Sequence, residues 1–167
     1  MGFDIAGVGT LTAASGVLSL DGTVANVMKV NANGVLTRAL TPYMRGQLSG
    51  KGDYYAPSGP LLVTADVNVG GCWNNATGRF TCPVAGSYMV TGGNIAQHYS
   101  GYFYIQKNGT TTHYTHWNHS PTWHYVSLSD IVVCAAGDTL NYLIGGLNSG
   151  GFYGNGGHGM YSIALMA

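Results

Sequence analysis

Four of the chain's six histidines fall within thirteen residues, HYTHWNHSPTWHY at positions 113–125, beside Trp117 and Trp123. Imidazole, indole and phenol rings at this density offer metal ligation, proton transfer, or stacking on a ligand. Along a strand successive side chains alternate sides, so His113 and His119 share a face only while the strand stays regular, and His116 faces the other way. One strand therefore cannot bring all three to one ion. Threefold symmetry could still gather three copies of one histidine around an axis, with nitrogen ligands suited to zinc or nickel. The simpler reading is aromatic and imidazole groups covering a strand and a loop, with no metal and no cofactor.

Hydrolytic chemistry needs a nucleophile with a base and an orienting acid, or two carboxylates flanking a sugar bond. The acids are Asp4, Asp21, Asp53, Asp66, Asp130 and Asp138, with no glutamate, and neither GxSxG nor HExxH occurs. No catalytic residue is expected; a turnover lost on changing Asp130 would contradict this. Recognition of a glycan or receptor suits the residues better, because flat rings stack on sugar faces while Asn, His and Thr hydrogen-bond to hydroxyls. The segments WNHSPTWH and GGLNSGGFYGNGGHG supply Trp117, His119, Trp123, Phe152 and Tyr153 as candidate ligand-facing side chains. The competing reading of the same residues is tight turning at the glycines and half-buried packing of the tryptophans.

Elements that could position these groups are strands. At 167 residues the chain is the size of one ordinary domain, and its 7% charged residues lie far below the roughly 25% of an average soluble domain. With six basic and six acidic residues it has no basic patch for nucleic acid. High Gly and aromatic content with so little charge suggests an all-β chain partly covered by copies of itself or by a partner. No apolar run is long enough for a membrane span. MGFDIAGVGTLTAASG has neither a basic segment ahead of an apolar run nor a cleavage-like site, so no secretory signal is expected.

Residues 1–41 hold no Trp, Tyr or Cys, and their short apolar pieces are broken by AASG, DG and NANG. They read as small strands or an extended arm with turns at Asp21-Gly22 and Asn33-Gly34, in need of a partner surface. From residue 42 to 167 nine strand-like runs follow: YMRGQLS, LVTADVNV, GRFTC, SYMVTGGNIAQ, GYFYIQ, TTTHYTHW, WHYVSLSDIVVC, DTLNYLIG and MYSIALMA. Asn108-Gly109 between two of them marks a two-residue hairpin, since both residues tolerate positive φ. This spacing implies a sandwich or jelly roll. Cys72 and Cys82 flank the turn NNATG and could face each other; with no secretory signal expected, the three cysteines are read as free buried thiols, with one bridge as the alternative.

NNATGRFTCPVAGSYMVT, at residues 74–91, resembles the signature of the C1q and tumour-necrosis-factor-like jelly roll: a TG turn, Phe-Thr-Cys, a Pro or Ala-Gly turn, then a Tyr opening the next strand. YIQKNGTT, VSLSDIVVCAAGDTLNYLI and GHGMYSIALMA continue the resemblance in order, and PYMRGQLSG would be the first strand. The resemblance implies a ten-strand, two-sheet jelly roll that forms a tight homotrimer with an aromatic-rich inner sheet against the threefold axis. Phe80, Gly86 and Tyr88 take its motif positions, Gly137 and Asp138 its turn, Tyr161 the aromatic of the last strand, and Tyr102, Tyr104 and Tyr142 further fold or trimer positions. Complement-type members carry a collagen stalk and a secretory signal, whereas here MKVNANGVLTRALTPYMRG resembles the lead-in to such heads in bacteriophage virion proteins. The expectation is a non-enzymatic capsid decoration or cement protein, made in the host cytoplasm and displayed on the virion surface. Residues 1–41 would attach it to a capsid protein or another virion component. The alternative is a tail-fibre or head-fibre tip that binds a host-surface glycan or receptor.

Overall fold

The computed structural model describes residues 41–52, 55–57, 59–97, 100–118, 123–146 and 151–166, together with the backbone of five short strands within residues 1–40. The chain divides into two compact units, Met1–Thr41 and Pro42–Ala167. In the first, β1 (Phe3–Ile5), β2 (Gly9–Ala14), β3 (Val17–Leu20), β4 (Met28–Val30) and β5 (Leu36–Arg38) pair in chain order as an antiparallel meander. The turns expected at Asp21-Gly22 and Asn33-Gly34 lie outside the described residues.

Among its described residues the second unit has eleven strands: β6 (Tyr43–Gln47), β7 (Thr64–Val69), β8 (Trp73–Asn74), β9 (Arg79–Thr81), β10 (Gly86–Gln97), β11 (Gly101–Lys107), β12 (Thr110–Trp117), β13 (His124–Cys134), β14 (Thr139–Gly145), β15 (Gly151–Phe152) and β16 (Met160–Leu165). One sheet runs β13-β10-β16-β6-β7, with β15 also on β10; the other runs β12-β11-β14-β9-β8. The pairings are antiparallel, and the chain crosses repeatedly from one sheet to the other, which makes a jelly-roll sandwich. Each of the nine strand-like runs contains one strand. The two unforeseen elements, β8 and β15, have two residues each, too few to show alternation.

Alternation decides the inside. In β10, Tyr88, Val90, Asn94 and Ala96 face the core, and in β13 Val126, Leu128, Val132 and Cys134 do so. The sandwich centre is a knot of rings: Phe103, Tyr142, Phe152 and Tyr161 are fully buried, with centroids 5.1–6.2 Å apart for the contacting pairs. Room for it comes from Gly92, where a Cβ would lie 2.9–3.0 Å from the rings of Tyr161, Phe103 and Tyr142. The Tyr142 hydroxyl, on one sheet, reaches the carbonyls of Thr91 (2.7 Å) and Ser162 (2.8 Å) on the other, and so is satisfied inside the core.

The motif residues have physical reasons. Phe80 and Tyr88 meet edge to face across the sheets at 5.7 Å, while the Tyr88 hydroxyl donates to Val84 O of the intervening turn at 2.8 Å. At Gly86 a Cβ would lie 2.6 Å from Leu165 Cδ1. Asn108 (φ 52°) and Gly109 (φ 79°) form the hairpin turn with both residues in the left-handed region. That turn interlocks with the Gly-Asp turn thirty residues on. Asn108 Nδ2 donates to Asp138 at 2.7 Å, Lys107 Nζ pairs with it at 2.9 Å, and Thr139 N donates to Asn108 Oδ1 at 2.8 Å. The Asp138 carboxylate also accepts from Ala135 N, and these donors hold its pKa down at about 2. Cys72, Cys82 and Cys134 are buried free thiols. Cys72 lies opposite Thr81, whose amide donates to its carbonyl, because the hairpin register pairs Trp73 with Phe80; Cys82 is one residue beyond.

Gly92→Ala should destabilise the fold by about 1–3 kcal/mol through overpacking. Tyr142→Phe should cost about 1–2 kcal/mol through the lost hydroxyl; chemical denaturation of both variants checks these values. The Asp138 carboxyl titrates near 3.8 when unperturbed and at about 2 in the fold, so its charged form stabilises the fold above pH 3.8, and this contribution fades as pH falls toward 2. In Asp138→Asn the midpoint of thermal unfolding should therefore be lower at pH 6 and should decline less than that of the parent between pH 4 and pH 2.

Candidate functional site

The candidate ligand-facing residues separate into core and surface. Trp117, opposite Gly101 on β11, faces inward and packs on Phe152 at 5.5 Å; it is 4% exposed. Phe152 lies opposite Ala96, an inward position of β10, and is fully buried. Neither faces a ligand: strand alternation and pairing, invisible in a Gly-rich segment, turn both rings into the core. His119 lies outside the described residues.

Trp123 and Tyr153 do come together. Trp123 is 51% exposed and meets Tyr153 edge on at 5.1 Å, and Tyr153 meets His158 at 4.8 Å and 87°. With Ile95 they line an open cleft of about 260 Å³. His158 was not singled out from the sequence, because only pairing of the Gly-rich segment with distant strands carries it there. That segment is anchored on both sides. Tyr153 N donates to Ile95 O at 2.9 Å, Gly154 N to Gly52 O at 2.8 Å, and Lys51 N to Gly154 O at 2.9 Å. At Gly154 a Cβ would lie 2.5 Å from Lys51 Cβ, so the glycine serves backbone approach. Buried Asn94 ties the cleft to the core: its Nδ2 donates to Tyr153 O at 3.0 Å and to the Tyr161 hydroxyl at 3.2 Å.

Two other surfaces stand out. On the outward face of the six-stranded sheet, Met89, Tyr125, Ile131, Val133 and Met160, with Met166 just past β16, are 42–70% exposed. They are six of the eight large apolar side chains that are exposed among the described residues. Register makes them neighbours: Met89 is opposite both Ile131 and Ala164, and the Tyr125 ring lies over Gly93. Small side chains fill the centre, where Thr91 and Ser162 hydroxyls bond at 2.8 Å. At the border Arg45 and Asp66 pair at 2.7 Å, which raises the one pKa and lowers the other.

Tyr102 and Tyr104, grouped from the sequence with fold or trimer positions, lie on the outward face of the other sheet, half-buried beside exposed Tyr114 and His116. Tyr142 and Tyr161 are the buried ones, and burial pushes both phenols up. His113 and His116 fall on opposite sides of β12, opposite inward Ile105 and outward Tyr102 respectively. His116 and His124 line a shared cleft of about 370 Å³ between β12 and β13. Among the described residues no three His, Cys, Asp or Glu side chains converge on a common point.

No protein-family model and no curated protein matches the chain. Among solved structures it is similar to the globular domain of zebrafish complement 1qA protein, at 13% identity and a TM-score of 0.63, over 75% of this chain and 98% of that one. It is also similar to Eiger TNF from S. frugiperda, at 11% identity and a TM-score of 0.61, over 77% of this chain and 94% of that one. The fold is therefore a C1q/TNF-like jelly roll.

Asn94→Ala should leave the Tyr161 hydroxyl and Tyr153 carbonyl without this donor, at a cost of about 1–3 kcal/mol. Hydrogen exchange should rise at the Tyr153 and Gly154 amides and stay unchanged across β11 and β12.

Proposed function

We propose that this chain is a non-enzymatic assembly protein whose residues 42–167 form a homotrimer through the outward face of the six-stranded sheet. The apolar strip Met89, Ile131, Val133, Tyr125, Met160 and Met166 carries this reading. A patch of this kind, with the Arg45–Asp66 pair at its border, is an interface that excludes water at its centre and tolerates charge at its rim. Returning six half-exposed side chains to an apolar contact contributes about 1 kcal/mol each, half of a full burial. Three protomers sum such contributions against the cost of association. The likeness to a complement globular domain and to a TNF supports the same arrangement.

The separate meander of residues 1–41 supports a division of labour, with the jelly roll as a head and the first unit as the attachment element. Together with the lead-in MKVNANGVLTRALTPYMRG, this favours decoration of a viral capsid, displayed on the virion surface and anchored to a capsid protein.

Sedimentation equilibrium of the intact chain should give three times 17.4 kDa. Ile131→Lys combined with Met89→Lys should give a folded monomer, since three pairs of ammonium groups would be buried without partners. A parent chain that stays monomeric at micromolar concentration overturns the trimer. Density of the chain in whole-particle reconstructions tests its placement: many copies at threefold or quasi-threefold capsid positions are expected, and a few copies confined to a tail would transfer the role to a fibre tip.

A further inference from the structure

The outward face of β11, β12 and β14 carries a second aromatic surface, built unlike the apolar strip on the opposite sheet. Register sets Tyr102 opposite His116 and Tyr104 opposite Tyr114, while β14 offers Leu143 and Gly145 at the same level. Four rings are contiguous: Tyr102 and Tyr104 lie 5.8 Å apart at 22°, Tyr102 and His116 at 4.6 Å, Tyr102 and Tyr114 at 5.7 Å, and Tyr104 and Tyr114 at 6.0 Å.

Glycines let these rings lie down. A Cβ at Gly146 would stand 2.7 Å from Tyr102 Cδ2, and one at Gly145 would stand 3.3 Å from Tyr104 Cε2. Side chains on a sheet ordinarily stand away from it. Here the neighbouring strand end has none, so the ring edges of Tyr102 and Tyr104 reach over bare backbone. Their hydroxyls are also distinct in role. Those of Tyr88 and Tyr142 donate within the fold, and those of Tyr55 and Tyr161 accept there. Tyr102, Tyr104 and Tyr114 donate to no described residue.

We propose that Tyr102, Tyr104, Tyr114 and His116 form a binding platform for a neutral saccharide chain. A pyranose has an apolar C–H face bordered by hydroxyls. Flat rings cover the first, while phenol and imidazole groups at the ring edges exchange hydrogen bonds with the second. Charge selects among ligands. The outward positions of β11, β12 and β14 hold no Lys, Arg, Asp or Glu; Arg79 stands exposed on neighbouring β9, and Lys107 and Asp138 are engaged with each other at the turn. A phosphate-rich or sulfated ligand would find no cation among the four rings, only Arg79 at the edge on β9, and a basic peptide would find no carboxylate. An apolar protein partner would find one aliphatic side chain, Leu143, against six large apolar groups on the other sheet. The two nearly parallel rings of Tyr102 and Tyr104 run along the strand, which suits consecutive sugar units better than a single one.

The platform does not depend on trimer formation, because the residues come from one protomer and lie on the sheet opposite the apolar strip. The test is binding of the intact chain to an array of neutral and acidic oligosaccharides. Neutral members should bind, Tyr114→Ala and His116→Ala should each weaken binding about tenfold, and Trp123→Ala should leave it unchanged. Tyr114→Phe keeps the ring and should retain most of the affinity. Circular dichroism separates loss of binding from loss of fold, and Tyr114→Phe with His116→Ala decides the matter if Tyr114→Ala does not fold. Absence of binding to every neutral member, binding confined to acidic ones, or binding that survives both alanine variants overturns the platform. A monomeric parent that still binds neutral saccharide would defeat the trimer reading alone.

Discussion

The Tyr142 phenol is the interaction on which the head depends. It projects from the middle of one sheet, crosses the sandwich and places its hydroxyl against the Thr91 and Ser162 carbonyls of the other. A buried hydroxyl without a partner costs more than a made bond contributes, so the two sheets are held at one spacing and one register. Gly92 is the complementary half of that constraint. Its missing side chain is the space in which Tyr142, Phe103 and Tyr161 meet. Because β10 lies between β13 and β16, the register set there extends to every outward position of the six-stranded sheet.

That propagation gives the two sheets different outward chemistries. Inward positions of β10 and β13 are taken by the core, so the intervening positions Met89, Ile131 and Val133 have to face out whatever their polarity. Their side chains take no part in the sandwich core. On the other sheet the outward rows are tyrosine and histidine, groups that interact with water and with a flat apolar surface alike. One sheet exposes aliphatic and thioether side chains, the other half-buried and exposed rings edged by hydroxyl and imidazole groups.

Much of the fold was legible because its signals are local. Asn108-Gly109 needs two left-handed residues and has them. The nine alternating runs each contain a strand, since period-two burial writes itself into the sequence. Even the spacing between the KNG and GD motifs has a contact behind it, the lock of Asn108 and Lys107 on Asp138. The site was less legible. Trp117 and Phe152 have the composition of a binding loop but occupy inward positions, and His158 joins Trp123 and Tyr153 only through the pairing of the glycine-rich segment with β10, Lys51, Gly52 and Tyr55.

From HYTHWNHSPTWHY alone, the alternation of a strand already separated His113 from His116 and argued against one metal site within it, because the two-residue period is a property of the backbone and needs no partner. Which face was inside is another matter. Trp117 became core and His116 surface only when β12 paired with β11 in a register that sets Gly101 against the one and Tyr102 against the other. Burial is a relation between strands distant in sequence, so residue type could name the rings that might bind, while tertiary pairing decided which of them are free to do so.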